Sequence, residues 1–514
     1  MKEEKITFLD LPRPVRRKIK TRVLYKRTSS LAVTRESVSS LYTFGYGQFR
    51  RIFRKIGGLM KERGLIEDVE ELLESGHRVY ISQGVAVLGV FTLIGAISAL
   101  GRIIDAVTDP IIASLSDRIA MAIASCAHAL GYKPYWFDLS SFHGTTGSEM
   151  IKKQNALYSF GSKLSQRSRL FNRLYWEPLN SEGFRKLSYN AVDQKNAELL
   201  VPLYANFPKD IPFAGTHVWP AQGAVHGGLK NVANVIPDNW PMGLHLSEGA
   251  LHTVQTPFAF AGYKMLKGMT KKKTLGMPSG SLLYTGHYVD HELVSNLYED
   301  TEKRRKRIEE GKPLRLLIPV GGAGAGKEMI KELLRYLAPR IEKKDVQVLL
   351  NFGDHLNMYE ALCKELPELM KGAAVHFDTY EEVEKMALHM DQHLEGVHVF
   401  YHQDIFEAVY ATNLLMRESD LLLTKPSELS FYPIPKLFLK RVGGHEAYGA
   451  IYAAQQGDGT AECETKEEMI GMMEALLSQK ELLLAMNRRI LQLHKQQVYH
   501  GGYEVVKLLT ERES

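Results

Sequence analysis

Between His217 and His252 the chain packs four histidines (His217, His226, His245, His252) and two acids (Asp238, Glu248) into 36 residues. Imidazole and carboxylate are the groups that exchange protons near neutral pH. Any one of these histidines is more often structural than catalytic, but their density argues that at least one is functional. Two stand just beyond apolar runs that read as strands: Asp238 after "VANVIP" and His217 after "PFAGT". They are the candidate general bases, Asp238 first and His217 second. A second stretch, "LLIPVGGAGAGKEMIKELL" (Leu316 to Leu334), could hold an anion. Gly321 to Lys327 fits the phosphate-loop spacing, but Glu328 replaces the Ser or Thr whose hydroxyl ligates Mg²⁺, and a carboxylate there would face phosphate oxygens. That argues against a nucleotide triphosphatase. The glycine spacing, Gly322-Ala-Gly324-Ala-Gly326, and its mid-chain place also miss the dinucleotide fingerprint. What remains is a strand (Leu314 to Val320), a Gly-rich turn and a helix (Lys327 to Leu337). Its backbone N–H groups suit an anion, and a tight turn with no ligand is the alternative.

The elements around these residues alternate. In the first half "RVYISQG", "KPYWFDL", "IPFAGTHVWP", "VANVIPD" and "SLLYTGHYV" read as strands. "SDRIAMAIASCAHALGY" reads as a helix stopped by Gly131. In the second half "LRLLIPV", "VQVLLNFG", "AVHFDTY", "VHVFYHQ", "SDLLLTK" and "KLFLKR" are strands separated by helices, and "KEEMIGMMEALLSQKELLLAMNRRILQLHKQQ" is one long helical region. Apolar strands alternating with helices imply parallel sheets covered on both faces. The expected fold is α/β: two facing Rossmann-like domains with a basic N-terminal extension. Its divisions are an extension over 1–75, domains over 76–298 and 313–480, a charged, solvated linker over 299–312, and a helical segment over 481–514. Ligands of such sheets lie at the carboxyl ends of the strands, hence in the cleft between the domains.

The 514 residues are net +6, yet residues 1–64 hold 17 Lys/Arg against 5 Asp/Glu, so the remainder is net negative. The clusters over 13–27 and 49–61 mix bases with bulky apolar residues, which suits an anionic membrane surface. Nucleic acid and a solvated arm are the other readings of such clusters. The membrane is the one carried forward, with no nucleic-acid partner. The run over 82–101 has no charge and is about long enough to span a bilayer. Buried strand-loop-helix is preferred to a span, with shallow insertion between the two. One such run excludes a polytopic transporter. An acidic helix is expected over 67–75. The three cysteines form neither a metal-ligand spacing nor a disulfide framework, which points to a reducing compartment. The first thirty residues have no apolar core, so no cleavable signal peptide is expected.

"ESDLLLTKPSELS" resembles the "D-l-l-I-t-K-P-G" segment of GT-B glycosyltransferases, in particular the monogalactosyldiacylglycerol synthases and the MurG-type transferases. "LLIPVGGAGAG" is similar to the loop opening their donor domain, and "GGHEAYGAIYAAQQGDG" to their "p-G-Q-E-x-x-N-A" segment. "HVFYHQDIFEAVYATNLLMRESD" resembles their "G-f-x-d-x-M" run. "AGTHVWP" resembles their "S-T-H-P" strand end, and "VANVIPDNW" their "v-v-T-D" strand. "LLYTGHYVDHEL" resembles their hinge strand. The series is colinear over residues 76–500. Two departures stand out. "GVAVLGVFTLIG" has no histidine where the family carries "G-G-G-H", and "KPSELSFYP" has Pro433 where a ribose-contacting Glu stands.

The resemblance implies an inverting, metal-independent transfer of a sugar from a nucleotide-sugar, a uridine one, to a lipid or lipid-linked acceptor at the inner face of a membrane. The nucleotide-sugar is a substrate and no cofactor is implied. Gly321, Gly322 and Gly324 would approach the donor's diphosphate or sugar. Lys425 would close the strand end beside the nucleotide, with Glu428 substituting for the missing Glu from another place. His445 and Glu446 would approach from the opposite rim. Asp238 or His217 would take the acceptor's proton, and His226, His245, Glu248 and His252 would lie near the acceptor. Two alternatives share the fold: a soluble nucleotide-sugar enzyme such as a 2-epimerase, and an inactive nucleotide-sugar-binding protein.

Overall fold

The chain forms two units in the computed structural model, Met1–Asp109 and Pro110–Ser514. The structure describes residues 24–25, 31–32 and 113–511, apart from 140, 143, 154–160, 162–163, 165–168, 172–190, 243–244, 266–276, 321–325, 378–379, 389–394 and 442. In the first unit the described residues are β1 (Leu24–Tyr25) and β2 (Leu31–Ala32), an antiparallel pair. The rest of the basic cluster over 13–27, the cluster over 49–61, the acidic helix over 67–75, the "RVYISQG" strand and the apolar run over 82–101 lie outside the described residues. No helix among the described residues is long and apolar enough to cross a membrane.

The second unit contains two parallel sheets, the expected α/β class. The first is β3 (Phe213–Gly215), β4 (Val232–Val235), β5 (Leu251–Val254) and β6 (Leu282–Tyr284), side by side in that order. Helices α1 (Ala113–Ala129), α2 (Val218–His226) and α3 (Pro257–Met265) accompany it. β4 and β5 are buried at every position, as strands covered on both faces must be. One expected strand is corrected: most of "KPYWFDL" has no regular structure. Tyr135 is 77% exposed, and Phe137 alone of its aromatics packs inward, against Tyr204, Phe207 and Phe213. Trp136, though 41% exposed, packs edge-on against Phe406 with ring centroids 4.9 Å apart, so aromatic contacts hold this segment without a ladder partner.

The second sheet has seven strands: β7 (Leu314–Pro319), β8 (Val346–Asn351), β9 (Ala374–Phe377), β10 (Val397–Tyr401), β11 (Leu421–Thr424), β12 (Lys436–Phe438) and β13 (Gly459–Glu462). Their order is β13-β12-β11-β7-β8-β10-β9, all parallel. Along β7, Leu316 and Ile318 join one core cluster and Leu317 the other, the period-2 alternation of a strand between two apolar layers. The chain builds outward from β7 through β8 to β9 and β10, then returns to place β11 on β7's other side. The switch point is therefore between β7 and β11, where sheets of this kind bind ligands.

The charged stretch expected as a solvated linker is instead α4 (Leu297–Glu309), with Arg304 and Arg307 buried. Arg304 donates to Ser419 O (2.8 Å) and Asn487 Oδ1 (3.0 Å), and Arg307 pairs with Asp420 Oδ1 at 2.7 Å. One face of this helix is neutralised by a buried counter-charge, which composition alone does not reveal. The crossing between the sheets comes earlier, over residues 285–291. The long C-terminal helical region is likewise split at Gln479 into α8 (Lys466–Ser478) and α9 (Lys480–Lys495), after α5 (Lys327–Glu342), α6 (Ile405–Arg417) and α7 (Ala447–Gln456). The chain then crosses back. His287 N donates to Val498 O (2.6 Å), Gly501 N donates to His287 O (2.9 Å), and α10 (Gly501–Thr510) packs on α1, β3 and β4. Any side chain at Gly501 would collide with Gly286 O, so glycine is required at this crossing.

Candidate active site

The strands of both sheets end at one polar cluster. β4 runs into Asp238, whose side chain is about a third exposed, and β3 into His217. His217 caps α2: its Nδ1 accepts from Trp219 N at 3.3 Å. With Nδ1 engaged as an acceptor, the neutral ring carries its proton on Nε2, so His217 offers a donor rather than a base. Burial, with His245 nearby, lowers His217 to about 4 against the pull of Asp238, so the ring is neutral at pH 7.

His245 organises Asp238. Its Nε2 lies 3.3 Å from Asp238 Oδ2 and its Nδ1 3.0 Å from the buried Tyr263 hydroxyl. The consistent pattern has Tyr263 O–H donating to Nδ1 and Nε2–H donating to the carboxylate. Asn234 on β4 fixes the loop from below, donating to His245 O (2.5 Å) and Ser247 Oγ (3.0 Å). Burial, the largest single cause, would raise Asp238, but the His245 hydrogen bond and the surrounding charges together outweigh it. His445, His245 and Lys425 add attraction, and the carboxyl falls to about 2. Asp238 is ionised and held in one orientation.

From the second sheet, β11 delivers Lys425, whose Nζ meets Glu446 Oε1 at 2.5 Å. Burial pulls the Lys425 ammonium down, and Glu446, Glu428 and Asp238 more than reverse it, so its proton is held more tightly than usual. The other Glu446 oxygen accepts from Gly443 N (3.1 Å), closing the turn that starts α7. A Cβ at Gly443 would lie 2.6 Å from the His445 ring, so a larger residue there would push that ring aside. His445 Nδ1 is buried without a partner among the described residues. Beside α7 sits the turn Glu428–Phe431; Ser430 Oγ is buried with no partner among the described residues, and a Cβ at Gly449 would meet it at 2.8 Å. The two sheets touch here: Asn239 Nδ2 donates to Tyr448 O (2.8 Å), and Trp240 stacks on Tyr448 with ring centroids 4.1 Å apart.

The remaining sequence candidates separate. His226 is exposed at the far end of α2, about 13 Å along the helix from its His217 cap at 1.5 Å per residue. Glu248 is exposed, and its backbone N–H donates to Gln222 Oε1 (2.7 Å). His252 is fully buried on β5, with Nε2 accepting from Ser247 N (3.0 Å) and Nδ1 facing Ser281 O (3.1 Å). Both nitrogens are spoken for within the sheet, and burial lowers it to about 4. Gly321, Gly322 and Gly324 lie outside the described residues. Lys327, just after them, pairs with Glu365 at 2.5 Å, and Gly326 starts α5 at φ +82°.

Sequence reading missed Arg118, which reaches from α1 to Asn413 Oδ1 on α6 (3.1 Å) and lies 5.7 Å from the centre of the Tyr432 ring. Tyr432 OH donates to Asp290 Oδ2 (2.9 Å). The partners are up to 295 residues apart, so nothing local in the sequence signals them.

The cluster thus combines an oriented ionised carboxylate, a fixed ammonium, an unpartnered imidazole nitrogen and the N-terminus of α7. It can bind an anion and move a proton beside it.

Comparison with known proteins finds that residues 277–510 match the family described as Domain of unknown function (DUF6938), and residues 116–265 the Domain of unknown function (DUF6937). No curated protein matches the chain. Among solved structures, the chain is similar to UDP-GlcNAc 2-epimerase from Neisseria meningitidis bound to UDP-GlcNAc, at 13% identity over 63% of this chain and 84% of that one, TM-score 0.39. It is also similar to an alpha,alpha-trehalose-phosphate synthase (UDP-forming) from Burkholderia xenovorans in complex with glucose-6-phosphate, at 13% identity over 66% of this chain and 86% of that one, TM-score 0.37.

Proposed function

We propose that this protein is a glycosyltransferase that moves a sugar from a nucleotide-sugar, a uridine one, to a lipid or lipid-linked acceptor, with inversion. One observation carries the reading: the carboxyl ends of two parallel sheets converge on a cluster with Asp238 on one side and Lys425, His445 and the start of α7 on the other. The motif resemblance supplies the reaction. The basic segments over 13–27 and 49–61 support action at the inner, anionic face of a membrane.

In this reading the donor diphosphate lies against the N-terminus of α7, where backbone N–H groups, Ser430 Oγ and the Lys425 ammonium face its charge. His445 Nδ1 and Nε2–H of His217 are hydrogen-bonding groups for the sugar. The acceptor hydroxyl lies against Asp238. As the new C–O bond forms, the acceptor oxygen becomes acidic, and Asp238, weak as a base, then takes its proton. His245 and Tyr263 keep the carboxylate aimed. They are positioning residues. Because the sugar carbon carries oxocarbenium character, a well-placed weak base suffices.

A second reading is favoured by the presence of another carboxyl, Glu428, in the same cluster. An acid and a base on one sugar also suit a nucleotide-sugar 2-epimerase, which needs no acceptor. The test is a panel of nucleotide-sugars with purified protein, with and without anionic vesicles containing diacylglycerol. Vesicle-stimulated nucleoside diphosphate release that Asp238→Asn abolishes supports the transferase. Vesicle-independent conversion of the donor to its epimer supports the second reading. No turnover and no donor binding overturns both.

A further inference from the structure

The carboxylates of the cluster are not equivalent. Asp238 is bound by His245, and Glu446 by Lys425 and Gly443 N. Glu428 sits three residues beyond Lys425 on the turn Glu428–Phe431, half-buried, and no described residue forms an ion pair or hydrogen bond with its carboxyl. The nearest cations are committed elsewhere: Lys425 to Glu446, and Arg118 to Asn413 with Asp290 beside it. Two anions, Asp238 and Glu446, face it. A carboxyl in that position keeps its proton. Burial is the largest cause, only partly offset by Arg118 and Lys425, and Glu428 is raised to about 8. Bringing a further anion to the start of α7 would tighten the proton again.

We propose that Glu428 is the proton donor to the leaving diphosphate. This rests on the nucleotide-sugar reading and adds to it a residue that lets the diphosphate leave as its less charged form. The acceptor oxygen forms its bond to the anomeric carbon while its proton passes to Asp238. The bond from that carbon to the diphosphate oxygen breaks, its electron pair stays on oxygen, and that oxygen takes the proton of Glu428. As products leave, water restores the Glu428 proton and removes the one on Asp238. Two carboxyls whose surroundings push them in opposite directions then serve as base and acid.

The first test needs no turnover. Uridine diphosphate binding is measured by calorimetry at pH 8 in buffers of different ionisation enthalpy. The wild type takes up about half a proton, because a group titrating near that pH is half protonated before the anion arrives; Glu428→Gln binds without that uptake. Uptake that persists in Glu428→Gln overturns the assignment alone. Absence of binding to the wild type overturns the nucleotide-sugar reading on which it rests. The second test separates chemistry from binding. Glu428→Gln lowers kcat by about 100-fold with KM little changed, and kcat of the wild type falls above pH 8 while the variant's does not. A raised KM with kcat kept assigns Glu428 to donor binding instead and overturns the proton-donor role.

Discussion

The two ends of β11 both carry buried charge and use it in opposite ways. At the amino end Asp420 is fully buried, accepts from Arg315 N (2.9 Å) and pairs with Arg307 (2.7 Å), while Arg304 holds Ser419 O. At the carboxyl end, four residues of strand later, Lys425 and Glu446 pair, but Lys425 keeps 26% of its side chain exposed, and Asp238 and Glu428 beside them are partly open. The amino end is sealed and its partners face one another. The carboxyl end leaves a carboxyl and an imidazole nitrogen without partners among the described residues. Sealed charge fixes the strand's place, and unsealed charge at the switch point is what a ligand can complete.

The comparison can be broken or sharpened by substitution. The largest expected effect is at the open end: Asp238→Asn lowers nucleoside diphosphate release by about 10² to 10⁴-fold with little change in thermal stability. A thermal collapse instead would make Asp238 structural and erase the contrast. Asp420→Asn is next, and acts on stability. Removing one member of a buried pair costs about 3–5 kcal/mol, read as a lower denaturant midpoint, while any folded protein keeps its KM. Lys425→Met raises the donor KM by about 10- to 100-fold, the loss of one hydrogen bond to a charged group, checked by donor titration. The smallest effect is in pH. Glu428 holds its proton to about pH 8 in the fold and to about 4.5 in the open chain. The folded form thus binds an extra proton between those values, and its stability declines as pH rises through them. Glu428→Gln removes that decline, so its melting temperature relative to wild type rises from pH 5 to pH 9.

Five of the six strands legible in the second half, all but the exposed edge strand β9, are buried at most positions, and such strands are continuous apolar runs. β13, "GTAE", went unread because a short edge strand needs little apolar surface. The charged segment of α4 read as solvent-facing because the carboxylates that neutralise Arg307 and the groups that satisfy Arg304 lie more than a hundred residues away. The same limit applies at the site. Asp238 and His217 are visible as polar residues ending strands. That His245 aims one and an N-cap bond ties up the other is a matter of loop closure, and Arg118 and Tyr432 carry no local mark at all.

The chain passes between its halves twice, over 285–291 and near 500, and the two passages are hydrogen-bonded side by side. Two strings tied together act as one axle. The stack of Trp240 on Tyr448 lies close to that line, because Tyr452, one helical turn further along α7, packs against His287 at 5.6 Å. A contact so near the axle travels least when one half turns against the other, so the stack ties the two sheets together without opposing the turn.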